Sequence, residues 1–276
     1  MKLKDYVTLG NLLAGFAAVI VLFYGKFHLA CYLICLAYVF DVLDGLVARL
    51  TRQHDTFGGI LDSVCDFVTN SIFMSFVVFF FFWREVGWPA PLAAAVGAFP
   101  AALGTIRQAR QQARPLSFPC YWIGLPRPVL ALFILALLNS SLVAMGTGAA
   151  RPWVNGLLAL LIAGGSLLHL SSIPFVNHHE RRFMTLLRLG AWVFLLGAPL
   201  ALLLSLVMFH DGRMFFDHLL FCFFIYLGLA WTQIPYQDIE RLRALRRGEP
   251  LRLPLVHQQT DWRPRTLAPF FLERNG

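Results

Sequence analysis

Charge is scarce in this sequence. Charged residues make up 14% of the 276 and hydrophobic ones 58%, with 26 Phe, whereas a soluble domain carries about 25% charged residues. The long apolar runs leave no room for a soluble core. A disulfide framework is missing too: Cys31, Cys35, Cys65, Cys120 and Cys222 form no C-x-x-C pair, and most fall in or beside apolar runs, where a thiol is a small packing group. The histidines show no zinc-ligand spacing; His54, His178 and His179 read as loop residues, and His169, His210 and His218 as helix-end groups. No segment is of low complexity, and no inverted repeat of the kind that marks many transporters is visible. These absences leave a polytopic all-α membrane protein.

The apolar runs predict a bundle of about eight transmembrane helices. The first follows Lys2 and Lys4 and reaches Tyr24, about 20 residues, which is enough to span. A secretory signal has a shorter core of about 7–15 residues. The next seven are expected near 28–50, 57–82, 88–107, 129–145, 154–173, 187–208 and 215–234. Ala93, Gly97 and Ala101 form a small-residue stripe suited to close packing, within the chain or in a dimer. A polar, Pro-containing segment at 107–128 is too long to be a mere turn, and the basic stretch 177–188 separates the sixth and seventh helices. The expected organisation is a transmembrane domain over 1–236 and a basic tail over 237–276.

With both termini cytoplasmic, only four of the 23 lysines and arginines (Lys26, Arg84, Arg151 and Arg213) fall on the outer side. That satisfies the positive-inside rule and points to an inner, cytoplasmic membrane. The net charge of +8 is then that of a basic cytoplasmic face attracted to anionic lipid, and no nucleic-acid partner is needed.

Against this background, residues 41–66 stand out: DVLDGLVARLTRQHDTFGGILDSVCD. Asp41 and Asp44 are three apart, Asp62 and Asp66 four apart, and on helices both spacings put the partners on one face. A charge inside a membrane helix costs roughly 2.5–3.5 kcal/mol, so four approach or exceed about 10 kcal/mol before their mutual repulsion. Such a cluster calls for a cation, and hard divalent ions with oxygen ligands fit it. Gly45 and Ala48 remove bulk on the same helical face, Gly58 keeps the start of the next helix open, and Arg49 offers a fork of donors for phosphate. Thr8 and Asn11 are polar exceptions in the first helix, read locally as a cap and a buried amide.

Asp41, two residues, Asp44-Gly45, two residues, Ala48-Arg49, eight residues, Gly58, three residues, Asp62, three residues, Asp66: this spacing matches without a gap the signature of the CDP-alcohol phosphatidyltransferase family, which the chain resembles. The resemblance implies that Asp41, Asp44, Asp62 and Asp66 hold two Mg2+ or Mn2+ ions, with Asp66 also the base that deprotonates an acceptor alcohol. It further implies that Thr8, Asn11, Gly45, Ala48, Arg49 and Gly58 face the nucleotide of CDP-diacylglycerol, that CMP is released, and that the protein is a homodimer.

Further stretches resemble the branch of the family that makes phosphatidylserine: TLGNLLAGF, Phe57-Gly58 with Leu61-Asp62-Ser63, Arg107 with Ala109-Arg110, Ile123-Gly124-Leu125-Pro126 with Pro128, and Ser172-Ile173-Pro174-Phe175. They imply L-serine as acceptor, with Arg107 and Arg110 as the candidates for its carboxylate. Gln111-Gln112, the FVTNS after Asp66, and Arg127 between the prolines depart from that branch. The same chemistry with choline, glycerol 3-phosphate or an inositol compound is the alternative. A cation transporter using the aspartates as an ion path is a more distant one.

Overall fold

A computed structural model describes residues 2–51, 56–113, 121–171, 173–176, 185–209, 212–231 and 236–246. Arg52, His54, Arg114, Cys120, the stretch 177–184 and the tail beyond Arg246 lie outside the described residues, as does the side chain of Arg49. The chain divides into two compact units, Met1–Pro115 with Arg127–His169, and Leu116–Pro126 with Leu170–Gly276.

Among the described residues, the regular elements of the first unit are all helices. α1 (Leu3–Phe23) and α2 (Phe27–Thr51) lie side by side, turned at Gly25, whose φ of 72° suits glycine. The third helical run is continuous from Thr56 to Glu85: α3 (Thr56–Phe67), a wide π-helical turn (Val68–Phe73), α4 (Met74–Phe80) and a second wide turn (Phe81–Glu85). α5 (Ala90–Ala113) packs on α4 and on α8 (Arg151–Leu167), and α6 (Arg127–Asn139) packs on α8. Ala18, Leu22, Ile34, Met74, Val77, Leu130 and Ile134 fill the interior, while Leu13, Phe16, Ile20, Leu36, Leu160 and other large apolar side chains face outward. Water tolerates no such surface over a whole bundle, and lipid does.

Six helices are long and apolar enough to cross a membrane: Leu3–Phe23, Phe27–Ala48, Thr56–Glu85, Ala90–Gln112, Arg127–Met145 and Arg151–Leu170. The fold class is therefore the expected membrane helical bundle, with six of the eight expected spans present on this measure among the described residues. The seventh and eighth expected spans are helical as well. They are α9 (Thr185–Leu204), with a shorter apolar stretch at Trp192–Val207, and α10 (Arg213–Trp231), and they pack on each other in the second unit. α11 (Tyr236–Arg246) opens the basic tail.

The helix ends moved for local reasons. α5 runs on to Ala113 because residues 107–113 are Arg, Gln and Ala, all strong helix formers. The fifth expected helix breaks after Asn139, and α7 (Ser141–Met145) follows. There the Asn139 amide donates to the Leu135 carbonyl at 2.9 Å, and the Ser140 hydroxyl to that of Leu137 at 2.9 Å. Such back-bonding competes with the helical ladder. In the second unit, β1 (Tyr121–Ile123) pairs antiparallel with β2 (Pro174–Val176), Tyr121 opposite Val176. The expected all-helical reading contained no strand.

The small-residue stripe serves a contact within the chain. Ala93 is fully buried, a Cβ on Gly97 would lie 3.0 Å from Phe79 Cβ, and the Ala101 amide donates to Ser75 Oγ at 2.8 Å. About one turn further along, a Cβ on Gly104 would stand 2.8 Å from Ser71 Cβ and closer still to its hydroxyl. Gly104→Ala therefore forces α5 away from the wide turn after Asp66. It should destabilise the protein by about 1–3 kcal/mol, the usual cost of overpacking, read as a lower melting temperature in detergent; an unchanged midpoint would mean the two helices are not in close contact.

Candidate active site

α1 presents a polar face to the interior at its first three turns. Lys4, Asp5, Thr8 and Asn11 recur at three- and four-residue spacing and are buried, Asn11 to 1% exposure. Further along, the same helix buries Ala14, Gly15, Ala18 and Leu22. A buried polar face needs partners, and α2 and α3 supply them. The Thr8 hydroxyl donates to Asp44 Oδ2 at 2.6 Å, and the Asn11 amide donates to Asp66 Oδ1 at 3.3 Å. Asp5 accepts from the Lys2 amide at 2.7 Å and pairs with Lys4 at 3.7 Å. Both polar exceptions of the first helix thus end on aspartates of the motif.

Asp41, Asp62 and Asp66 come together: one carboxylate oxygen from each lies within 4.8 Å of the other two. Carboxylates this close repel one another, and a cation among them relieves that repulsion. Asp44 is buried one turn from Asp41, stands outside this trio and is engaged by Thr8. Gly45 and Ala48 follow on the face of α2 that carries Asp41 and Asp44, and Gly58 is buried at the start of α3.

Among the described residues, the cations whose charge reaches the aspartates are Lys4 and Arg127. Arg127 opens α6 and is buried; its Nη1 donates to Gln108 Oε1, and Gln108 Nε2 donates to Ser63 Oγ at 3.0 Å. Arg107, on a different face of α5 from its neighbour Gln108, is buried with Nη1 at 3.4 Å from the His169 carbonyl; Arg110 is exposed. In the sequence Lys4 reads as a topology signal, Gln108 has no role, and Arg127 is a departure from the branch and, with Arg110 and Arg114, a candidate for a basic pocket should the acceptor be phosphorylated. The spacing of Lys4, Thr8 and Asn11 was the signal available for the first. The relay from Ser63 through Gln108 to Arg127 joins residues 45 and 19 apart, which no local pattern reveals.

A buried set of hard oxygen donors from two helices, with no cation among the three, fits a divalent metal ion. Asn11 adds a buried Oδ1 that has no hydrogen-bond partner among the described residues.

Residues 1–163, more than half of the chain and the part holding this entire site, match the CDP-alcohol phosphatidyltransferase family. The chain belongs to that family of transferases, so the resemblance drawn from the motif holds. It is similar to a CDP-diacylglycerol–serine O-phosphatidyltransferase of Methanocaldococcus jannaschii, 29% identical over 211 residues that cover 75% of this chain and 90% of the relative. One of Helicobacter pylori with the same name is 30% identical over 172 residues, 62% of this chain and 70% of the relative. An archaetidylserine synthase of Methanothermobacter thermautotrophicus is 32% identical over 81 residues, 29% of this chain and 35% of the relative.

Proposed function

We propose that the protein transfers the phosphatidyl group of CDP-diacylglycerol to L-serine, giving phosphatidylserine and CMP. The observation that carries this reading is the convergence of Asp41, Asp62 and Asp66 from two helices, with Asn11 and Thr8 holding the acidic face from a third. Serine is favoured because the relatives described above carry it in their names, one of them with a different lipid.

Asp41, Asp44, Asp62 and Asp66 would hold two Mg2+ or Mn2+ ions, which supply positive charge to the pyrophosphate as charge builds on the leaving CMP. Asp66 takes the proton of the serine hydroxyl. The hydroxyl oxygen forms a new bond to the phosphorus bearing diacylglycerol, and the bond from that phosphorus to the bridging oxygen breaks. Thr8 fixes the Asp44 carboxylate and Asn11 that of Asp66, so neither must reorganise during the reaction. Gly45, Ala48 and Gly58 leave space for the nucleotide along α2 and α3, and Arg49 adds donors for its phosphates. Arg107 and Arg110 place further positive charge at the end of α5 that also carries Gln108. The distribution of arginine and lysine supports a cytoplasmic position for this end of the bundle, in the inner membrane.

CMP release by the purified protein, from CDP-diacylglycerol with Mn2+ or Mg2+ and each alcohol separately, tests the reading. Release is expected with L-serine. Release only with choline, glycerol 3-phosphate or inositol would replace the acceptor, and no release with any of them would favour the aspartates as an ion path.

A further inference from the structure

We infer that Arg127, a departure of this chain from the branch it resembles, binds the carboxylate of the acceptor here and so adds to the selection of serine over alcohols that lack one; this rests on the serine reading above. Arg127 is buried to 9% exposure beside the acidic trio, and its charge acts on Asp66, Asp62 and Asp41. It forms no ion pair with them among the described residues. Its guanidinium is tethered through Nη1 to Gln108, which is itself held at 3.0 Å by Ser63, the neighbour of Asp62. The relay ties the first residue of α6 to α5 and α3 and spends one of the five guanidinium donors.

A buried guanidinium is costly unless an anion meets it. The aspartates are the anions present, and with metal ions among them the site around Arg127 turns positive, so the missing anion comes with a substrate. Serine fits by covalent length. Its hydroxyl oxygen must meet Asp66, and its carboxylate carbon is only three bonds away, so the cation that binds it must lie in the same neighbourhood, to which the relay through Gln108 to Ser63, the neighbour of Asp62, ties Arg127. A planar fork takes a carboxylate through two parallel hydrogen bonds. Arg107, by contrast, is turned to the His169 carbonyl, and Arg110 is exposed.

The test measures CMP release by the full-length protein with CDP-diacylglycerol and Mn2+, over a range of L-serine and, separately, of ethanolamine, which is serine without its carboxylate. Arg127→Gln is expected to raise the KM for serine roughly 10- to 100-fold, the worth of a charge-assisted pair. The preference for serine over ethanolamine should fall by the same factor, and the KM for CDP-diacylglycerol should stay within about 2-fold. Arg127→Lys keeps the charge without the fork, so it should recover part of the serine affinity, and it keeps the assay readable where the Gln variant folds poorly. A role as mere counter-charge would shift the Mn2+ requirement and leave the serine-to-ethanolamine ratio alone. That result, or a KM change for CDP-diacylglycerol only, overturns the assignment. Wild-type protein inactive with serine overturns the reaction itself and this inference with it; active wild type with an unaltered Arg127→Gln overturns Arg127 alone.

Discussion

Asp66→Asn should lower the rate of CMP release by roughly a thousandfold or more while leaving the fold intact. A positioned base contributes about 10²–10⁴, and an amide is also a poorer metal ligand than a carboxylate, so both roles proposed for Asp66 are lost in one substitution. Shape is nearly unchanged. The variant protein should not be fragile: Asp66 lies within 4.8 Å of Asp41 and Asp62, and two unit charges at that separation oppose each other by about 3.5 kcal/mol at an effective dielectric of about 20. Removing one charge relieves two such pairs. Without divalent metal the variant is therefore expected to melt at or above the wild-type temperature, and with Mn2+ it should gain less than the wild type does. Measuring both turnover and melting separates the possibilities. A variant that keeps more than about a tenth of the wild-type rate would remove Asp66 as the base, and one that melts far lower without metal would mean that Asp66 is a structural residue.

Chelation should have an effect as large. EDTA is expected to abolish CMP release, Mn2+ or Mg2+ to restore it, and Na+ or K+ to have no effect, because a monovalent ion brings too little charge to a site of three converging carboxylates. The same ions should act on stability. A ligand at 100 times its dissociation constant stabilises the folded state by about 2.7 kcal/mol, so the melting temperature should climb with metal concentration until the site saturates. Activity that survives exhaustive chelation would sink the metal reading altogether. A metal-dependent rise in melting temperature that persists in a variant lacking both Asp41 and Asp62 would place the ion elsewhere.

The sequence announces its fold through long apolar runs, and those runs are periodic enough that α2, expected at 28–50, is found at Phe27–Thr51. The carboxylates were legible for the same reason: a charge in an apolar helix is costly, so its presence alone marks function. Three things escaped this kind of reading. β1 and β2 pair residues more than fifty positions apart, and three-residue strands carry no pattern of their own. The break at Ser140 lies inside an apolar run, and only side-chain bonds to the preceding turn reveal it. Arg127 looked like an exception because its partners, Gln108 and the aspartates, reach it from other helices.

The wide turn at Val68–Phe73 bears on how this chain lines up with its kin. The inward positions are Gly58 and Cys65 before it, Thr69, Asn70 and Ser71 within it, and Met74, Val77, Val78 and Phe80 after it, so three successive residues turn inward where a single α-helical rhythm would not bury all three. A π-turn is what a helix forms when it absorbs one additional residue without turning its far end. A chain with one residue fewer between Asp66 and Met74 would keep both the acidic end and the Phe-rich end of this helix on their present faces by straightening the turn. An alignment between the two would open a single gap there, inside an unbroken membrane helix, and the gap would be real.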